Sequence, residues 1–207
     1  MDNKAMFKLS YGLFMLSAFK NGKHNGCITN TAIQVANTPD RIAFAVNKGN
    51  LTHDMVKETG IFSLSILNEK ATFSIFQRFG FQSGRDVDKF EGCPNYTKGK
   101  NGLYHLTEGA NAVIEGKVVD QMDLGSHTLF IAEITEMEVL SEVPSVTYSY
   151  YQEHIKPKPQ AAPATATGKT VWRCSVCGYE YEGEEIPADY ICPLCKHPAS
   201  DFDKFVK

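Results

Sequence analysis

The chain has 207 residues, 43% of them hydrophobic and 22% charged, with a formal net charge of -3. That length suits one sizeable core with a small appendage, and the near-neutral balance gives no electrostatic reason to expect a nucleic acid or an anionic membrane as the main partner. No apolar run approaches the length of a membrane span, so the expected location is the cytoplasm.

In chain order, "YGLFMLSAF" (11 to 19) is a short apolar run. The residues before it include Asp2 as well as Lys4 and Lys8, and it leads into the turn-like "KNGKHNG". It therefore reads as a strand entering a hairpin and not as a targeting signal. Segments 41–48, 61–67, 111–122 and 127–140 are rich in Val, Ile, Phe and Thr and read as strands. Between them, "LTHDMVKET" (51 to 59) and "ATFSIFQRF" (71 to 79) have helical spacing, the first stopped by Gly60. Long antiparallel strands with a few helices predict a mainly β fold built on a small barrel. At 156–169 the composition shifts to "KPKPQAAPATATGK", which reads as a linker long enough to let the C-terminal tail move against the barrel. The expected division is a barrel over 1–155, a Pro/Ala/Thr linker over 156–170 and a small domain over 171–207.

Two nucleotide signals are excluded. Gly168-Lys169-Thr170 resembles the end of a phosphate-binding loop, but Pro163 stands where that loop needs a glycine. No G-x-G-x-x-G follows a strand, so no Rossmann dinucleotide site is expected.

The cysteines carry the strongest signal. Cys174-x-x-Cys177 and Cys192-x-x-Cys195 are separated by fourteen residues. In a reducing compartment such pairs read as ligands and not as disulfides. Four thiolates so spaced suit zinc or iron, and spacing alone does not choose. Gly178 lets the first knuckle turn tightly and Pro193 opens the second. Trp172, Tyr179, Tyr181, Tyr190, Phe202 and Phe205 would supply most of the small core, with the metal completing it. Cys27 and Cys93 stand alone and read as buried or bystander thiols. From 171 to 207 there are four basic and seven acidic residues, a poor composition for reading nucleic acid.

"CSVCGYEYEG" with "ICPLC" and a later "DF" resembles a rubredoxin, in particular the compact module of rubrerythrins. The resemblance implies one iron per chain held by Cys174, Cys177, Cys192 and Cys195 and shuttling single electrons.

In the barrel, "NKGNLTH" (47 to 53) ends a strand and starts a helix, so polar side chains and helix amides converge where an anion would sit. Taken alone, Asn50 or Thr52 is equally a helix cap and Lys48 a solvated charge. The longer stretch "GCITNTAIQVANTPDRIAFAVNKGNLT", continued in "SGRDVDKF" and "GSHTLFIAEI", resembles the flavin reductase-like family with an FMN-binding split barrel. By that likeness Thr29, Asn30 and Thr31 line the isoalloxazine and ribityl chain. Asn47, Lys48, Asn50 and Thr52 hold the phosphate end. Thr31 keeps the hydroxyl of the serine common in relatives, whereas Asn50 departs from their usual small hydroxyl residue. The matching histidine, His127, lies near flavin and nicotinamide in the family; its plain alternative is a hydrogen-bonded turn residue. His24, His53, His105, His154 and His197 read as surface or turn residues.

Together the two resemblances imply a protein that oxidises NADH or NADPH at FMN and passes electrons singly through the iron, as in the high-molecular-weight rubredoxins of anaerobes. They imply a flavodiiron protein as acceptor and a homodimeric barrel. The competing expectations are a non-enzymatic carrier loaded by a separate reductase and a zinc-stabilised binding module.

Overall fold

Residues 13 to 18 are all buried, which a strand can achieve only if both of its faces are covered. A computed structural model describes residues 5, 8–157, 170–174, 178–193 and 197–206, and in it this segment is part of β1 (Phe14–Lys20). Phe14, Leu16 and Ala18 point into one apolar cluster with Phe44, Phe62, Leu64 and Phe130. Leu13 and Met15 point into a second with Phe76, Phe79, Leu106 and Val146.

β1 turns at Asn21-Gly22, both at positive φ, into β2 (Lys23–Thr29). The turn is therefore shorter than "KNGKHNG" suggested, and Lys23 to Gly26 belong to a strand. β3 (Ala32–Asn37) and β4 (Asp40–Asn47) form the next hairpin, followed by α1 (Leu51–Thr59), β5 (Ile61–Leu67) and α2 (Phe73–Gly80). α1 stops at the glycine that the sequence marks, with Gly60 left-handed at φ 67. A small hairpin, β6 (Tyr96–Lys98) and β7 (Tyr104–Leu106), precedes the two longest strands, β8 (Ala110–Asp123) and β9 (His127–Val139). The unit closes with a helical turn at Tyr148–Tyr150 that widens into a π-helical turn at Tyr151–Ile155, an element that no periodicity in the sequence announced.

The seven large strands pair in the order β2-β1-β5-β8-β9-β4-β3. Its two edge strands, β2 and β3, are joined by only Asn30 and Thr31. So short a link brings the end of β2 beside the start of β3 and curls the sheet towards a barrel, although the two edge strands do not pair with each other. At this seam Thr29 Oγ1 donates to Ala45 O of β4 at 2.9 Å, and Ala45 N donates to Thr31 O at 3.1 Å, extending the β3–β4 ladder.

Chain contacts divide into two compact units, Met1–Ile155 and Lys156–Lys207. Nearly all of the expected linker lies outside the described residues. The second unit is a three-stranded antiparallel sheet, β11-β10-β12, from β10 (Thr170–Cys174), β11 (Glu180–Glu182) and β12 (Phe202–Val206). Its ring core is smaller than expected: Tyr190 lies 4.7 Å from Tyr181 and 5.6 Å from Phe202, centroid to centroid, but of the six rings only Phe202 is buried, and Phe205 is 42% exposed on the last strand. Trp172 Nε1 donates to Gly183 O at 3.2 Å. No helix among the described residues is long and apolar enough to cross a membrane.

Candidate flavin cleft and cysteine knuckles

The barrel seam opens into a cleft of about 190 Å³ that brings together three distant stretches of chain. Thr29, Asn30 and Thr31 come from the β2–β3 link, Asn47 and Asn50 from the β4–α1 turn, and His127 from the start of β9. β4–β9 pairing sets His127 directly opposite Asn47. Six of the eight expected barrel residues therefore share one cavity.

The local bonding explains its polarity. Thr29 spends its hydroxyl on the seam and faces the cleft mainly as shape, while Thr31 Oγ1 donates to Asn30 Oδ1 at 2.9 Å. Asn47 Oδ1 accepts from Gly49 N at 2.8 Å, fixing the turn. Asn50 occupies the N-cap of α1 yet makes no side-chain cap bond. The Asn50 side chain thus leaves the start of α1 uncapped; His53 N donates to Asn50 O at 3.1 Å, while no partner among the described residues takes the amides of Leu51 and Thr52, where the helix dipole adds positive potential. His127 Nδ1 shares a 2.9 Å hydrogen bond with Ser126 Oγ, and its Nε2 has no partner among the described residues.

Lys48 and Thr52 do not line this cavity. Lys48 Nζ is already paired with Asp123, at 2.6 and 2.7 Å from its two oxygens. Thr52 is fully buried, and its hydroxyl accepts from Asn25 Nδ2 at 2.9 Å. The helical period turns the side chain at position 52 towards the barrel core when position 50 faces the cleft. Leu13, Ile28 and Tyr148 also line the cleft. The aromatic run at 148–151 was the only sequence signal for Tyr148, and it carried no register. His53 and His105, read as surface or turn residues, are buried at 4% and 7% exposure.

Cys27 is the buried thiol expected, its pKa pushed up by burial, which disfavours the thiolate. Cys93 is half-buried, and its thiol donates to Pro94 O at 3.3 Å.

In the second unit Cys174 and Cys192 are 1% and 0% exposed. The same turn occurs at each: Cys174 N donates to Tyr179 O and Cys192 N to His197 O, both at 2.8 Å, five residues on. Gly178, at φ 78, donates to Cys174 O at 2.8 Å and tightens the first. Cys177 and Cys195 lie outside the described residues, and among the described residues no group of three or more ligand side chains is assembled for a metal. Two buried thiols, each at the head of a closed knuckle, fit a thiolate-bound ion.

A barrel closed by a two-residue link, with an anion-receptive cleft at the seam, and a separate sheet carrying paired cysteine knuckles define a flavin oxidoreductase fused to a rubredoxin-type electron carrier. The model of the flavin reductase like domain matches residues 6–158, and that of the rubrerythrin, rubredoxin-like domain matches 172–203. The chain belongs to the flavin reductase-like family and carries a C-terminal rubredoxin-like domain. It is 33% identical to a high molecular weight rubredoxin of Moorella thermoacetica, over 94% of this chain and 96% of that one. It is 41% identical to a ferric-chelate reductase (NAD(P)H) of Archaeoglobus fulgidus, over 81% of this chain and 96% of that one. The fold is shared with a NADH:FAD oxidoreductase of Streptomyces globisporus C-1027, with TM-score 0.64 and 19% identity over 77% of this chain and 92% of that one.

Proposed function

We propose that the chain takes electrons from NAD(P)H at FMN bound in the seam cleft and passes them one at a time through a single iron held by Cys174, Cys177, Cys192 and Cys195. When bound, FMN accepts a hydride as an electron pair and yields electrons singly, while a tetrathiolate iron takes one at a time. The observation that carries this reading is that Asn47, His127 and Asn50, the N-cap of α1 with no side-chain cap bond, line one cavity with Thr29, Asn30 and Thr31.

The amides of α1 and the side chains of Asn47 and Asn50 receive the phosphate. Asn30 and Thr31, tied to each other, offer polar contacts to the ring edge and ribityl chain. His127, fixed through Nδ1 by Ser126, presents Nε2 towards the nicotinamide. No side-chain acid or base is required of the chain for hydride transfer; its residues stack and orient the reactants and exclude water.

The acceptor we propose is a flavodiiron protein, on the strength of the likeness to high-molecular-weight rubredoxins. A homodimer is supported by exposed apolar side chains on β3, β8 and β9, among them Ile33 and Met122 at 65% and 61% exposure. The test is the visible spectrum of the purified chain under anaerobic conditions. Flavin bands together with iron-thiolate charge transfer are expected, and both should bleach on adding NADH or NADPH. A colourless, zinc-bearing protein, or a tail that stays oxidised while the flavin is reduced, would overturn the reading.

A further inference from the structure

Behind the wall of the cleft four side chains form one continuous hydrogen-bonded chain. Arg85 Nη2 donates to Asp54 Oδ2 at 2.7 Å, Asp54 Oδ1 lies 2.9 Å from His53 Nδ1, and His53 Nε2 lies 2.8 Å from Thr128 Oγ1. Its inner half is out of water, His53 and Thr128 being each 4% exposed. The Phe130 ring flanks the imidazole at 5.9 Å.

The direction of each bond is set from the outer end. Arg85, and after it His53, holds the Asp54 carboxyl below its ordinary range, so Asp54 is an ionised acceptor. Asp54 Oδ1 therefore accepts a hydrogen bond from Nδ1–H of His53. In the neutral ring Nε2 is then an acceptor for the Thr128 hydroxyl.

The placement of this chain matters for the cleft. β4 ends its pairing with β9 at Asn47 opposite His127, and there the backbone leaves the sheet to begin α1. Past that point the His53–Thr128 bond ties the first turn of α1 to β9, one residue beyond His127. We propose that His53 is a positioning residue for the flavin cleft, holding the start of α1, with Asn50 at its N-cap, at a fixed separation from the strand that carries His127. The inference rests on reading the cleft as the FMN site; His53 itself touches no flavin.

The test titrates FMN into the flavin-free full chain, monitored by flavin fluorescence. Thr128→Val removes the hydroxyl with little change of shape, and His53→Asn reaches Asp54 but not Thr128. Each is expected to raise the FMN dissociation constant about tenfold, the effect of losing one buried hydrogen bond. His53→Gln, whose amide reaches the Nε2 position, is expected to stay within about threefold of wild type. The double variant H53N/T128V should be no weaker than either single one, because both remove the same bond. Steady-state activity of T128V should return to within about twofold of wild type at saturating FMN, a rescue that general loss of structure would not allow. The ¹⁵N shift of His53 Nε2 should report an acceptor nitrogen in wild type and move in T128V. Wild-type FMN affinity retained in T128V, additive effects in the double variant, or activity that saturating FMN does not restore would each overturn the proposal. Failure of the wild-type chain to bind FMN would instead remove the reading of the cleft, and this inference with it.

Discussion

In the barrel unit the fully buried side chains include Phe44, Phe62, Phe79, Phe130 and Leu64, drawn from strands and a helix far apart in sequence. In the tail the buried described residues are Val171, Cys174, Cys192 and Phe202, so half of them are thiols. The first unit removes enough apolar surface from water to stand on its own core. The second has three short strands and a few rings, and its two buried polarisable groups sit where a metal would bind. One unit is held by its apolar core; the other, on the function proposed above, is completed by coordination.

The largest test of that contrast is Cys192→Ser. It is expected to abolish the iron-thiolate absorption and leave the tail open to protease, a loss on the order of 10 kcal/mol for a fold completed by its metal. The barrel's thermal midpoint should stay where it was; a tail that resists proteolysis without metal would break the comparison. The converse is Phe62→Ala, in the barrel core at 0% exposure, with an expected cost of about 4 kcal/mol in urea unfolding of the barrel. FMN binding should weaken with it, while the tail's absorption survives.

A third test uses charge. Lys89 is 3% exposed and donates to Gly26 O at 2.9 Å and Phe79 O at 3.1 Å. Burial lowers its ammonium from 10.5 to about 8. The folded value lies below the unfolded one, so between about 8 and 10.5 the unfolded chain binds more protons and stability rises with pH. The rise, on the order of 3 kcal/mol, should appear in urea unfolding of the wild type across that window and be missing in Lys89→Met. A parallel profile in both would show that the barrel tolerates this charge as freely as the open tail would.

The smallest effect on stability, and the sharpest on binding, is expected of Asn50→Ala. Because Asn50 makes no cap bond, unfolding should change by less than about 0.5 kcal/mol, while the FMN dissociation constant rises about tenfold. Equal losses in both measurements would mean that the side chain belongs to the helix and not to the cleft.

Legibility tracked locality. α1 was readable to its ends because Asn50, the apolar spacing and Gly60 all lie within one short stretch. β5 was equally plain, an apolar run bounded by Gly60 and Asn68. β2 was not, because Lys23, His24, Asn25 and Gly26 read as a turn. Gly26 serves packing: a Cβ would stand 2.9 Å from Met15 Sδ and 3.0 Å from the Phe79 ring, so the glycine lets α2 rest closely on the strand without displacing either side chain. His53 likewise looked solvated, since its partner Thr128 is 75 residues away.

What the amino-acid sequence determined by itself was whatever short-range chemistry dictates: the cysteine pairs and their spacing, the helix with its stop signal, and the runs that must be strands. The tertiary structure alone decided which residues meet. Thr29 to Thr31, Asn47, Asn50, His127 and Tyr148 share a cleft because a two-residue link brings the ends of the two edge strands together and β4–β9 pairing sets His127 opposite Asn47. Pairing between strands so far apart in sequence leaves no local signature, and the direction a side chain takes on a curved sheet is settled only when that closure is complete.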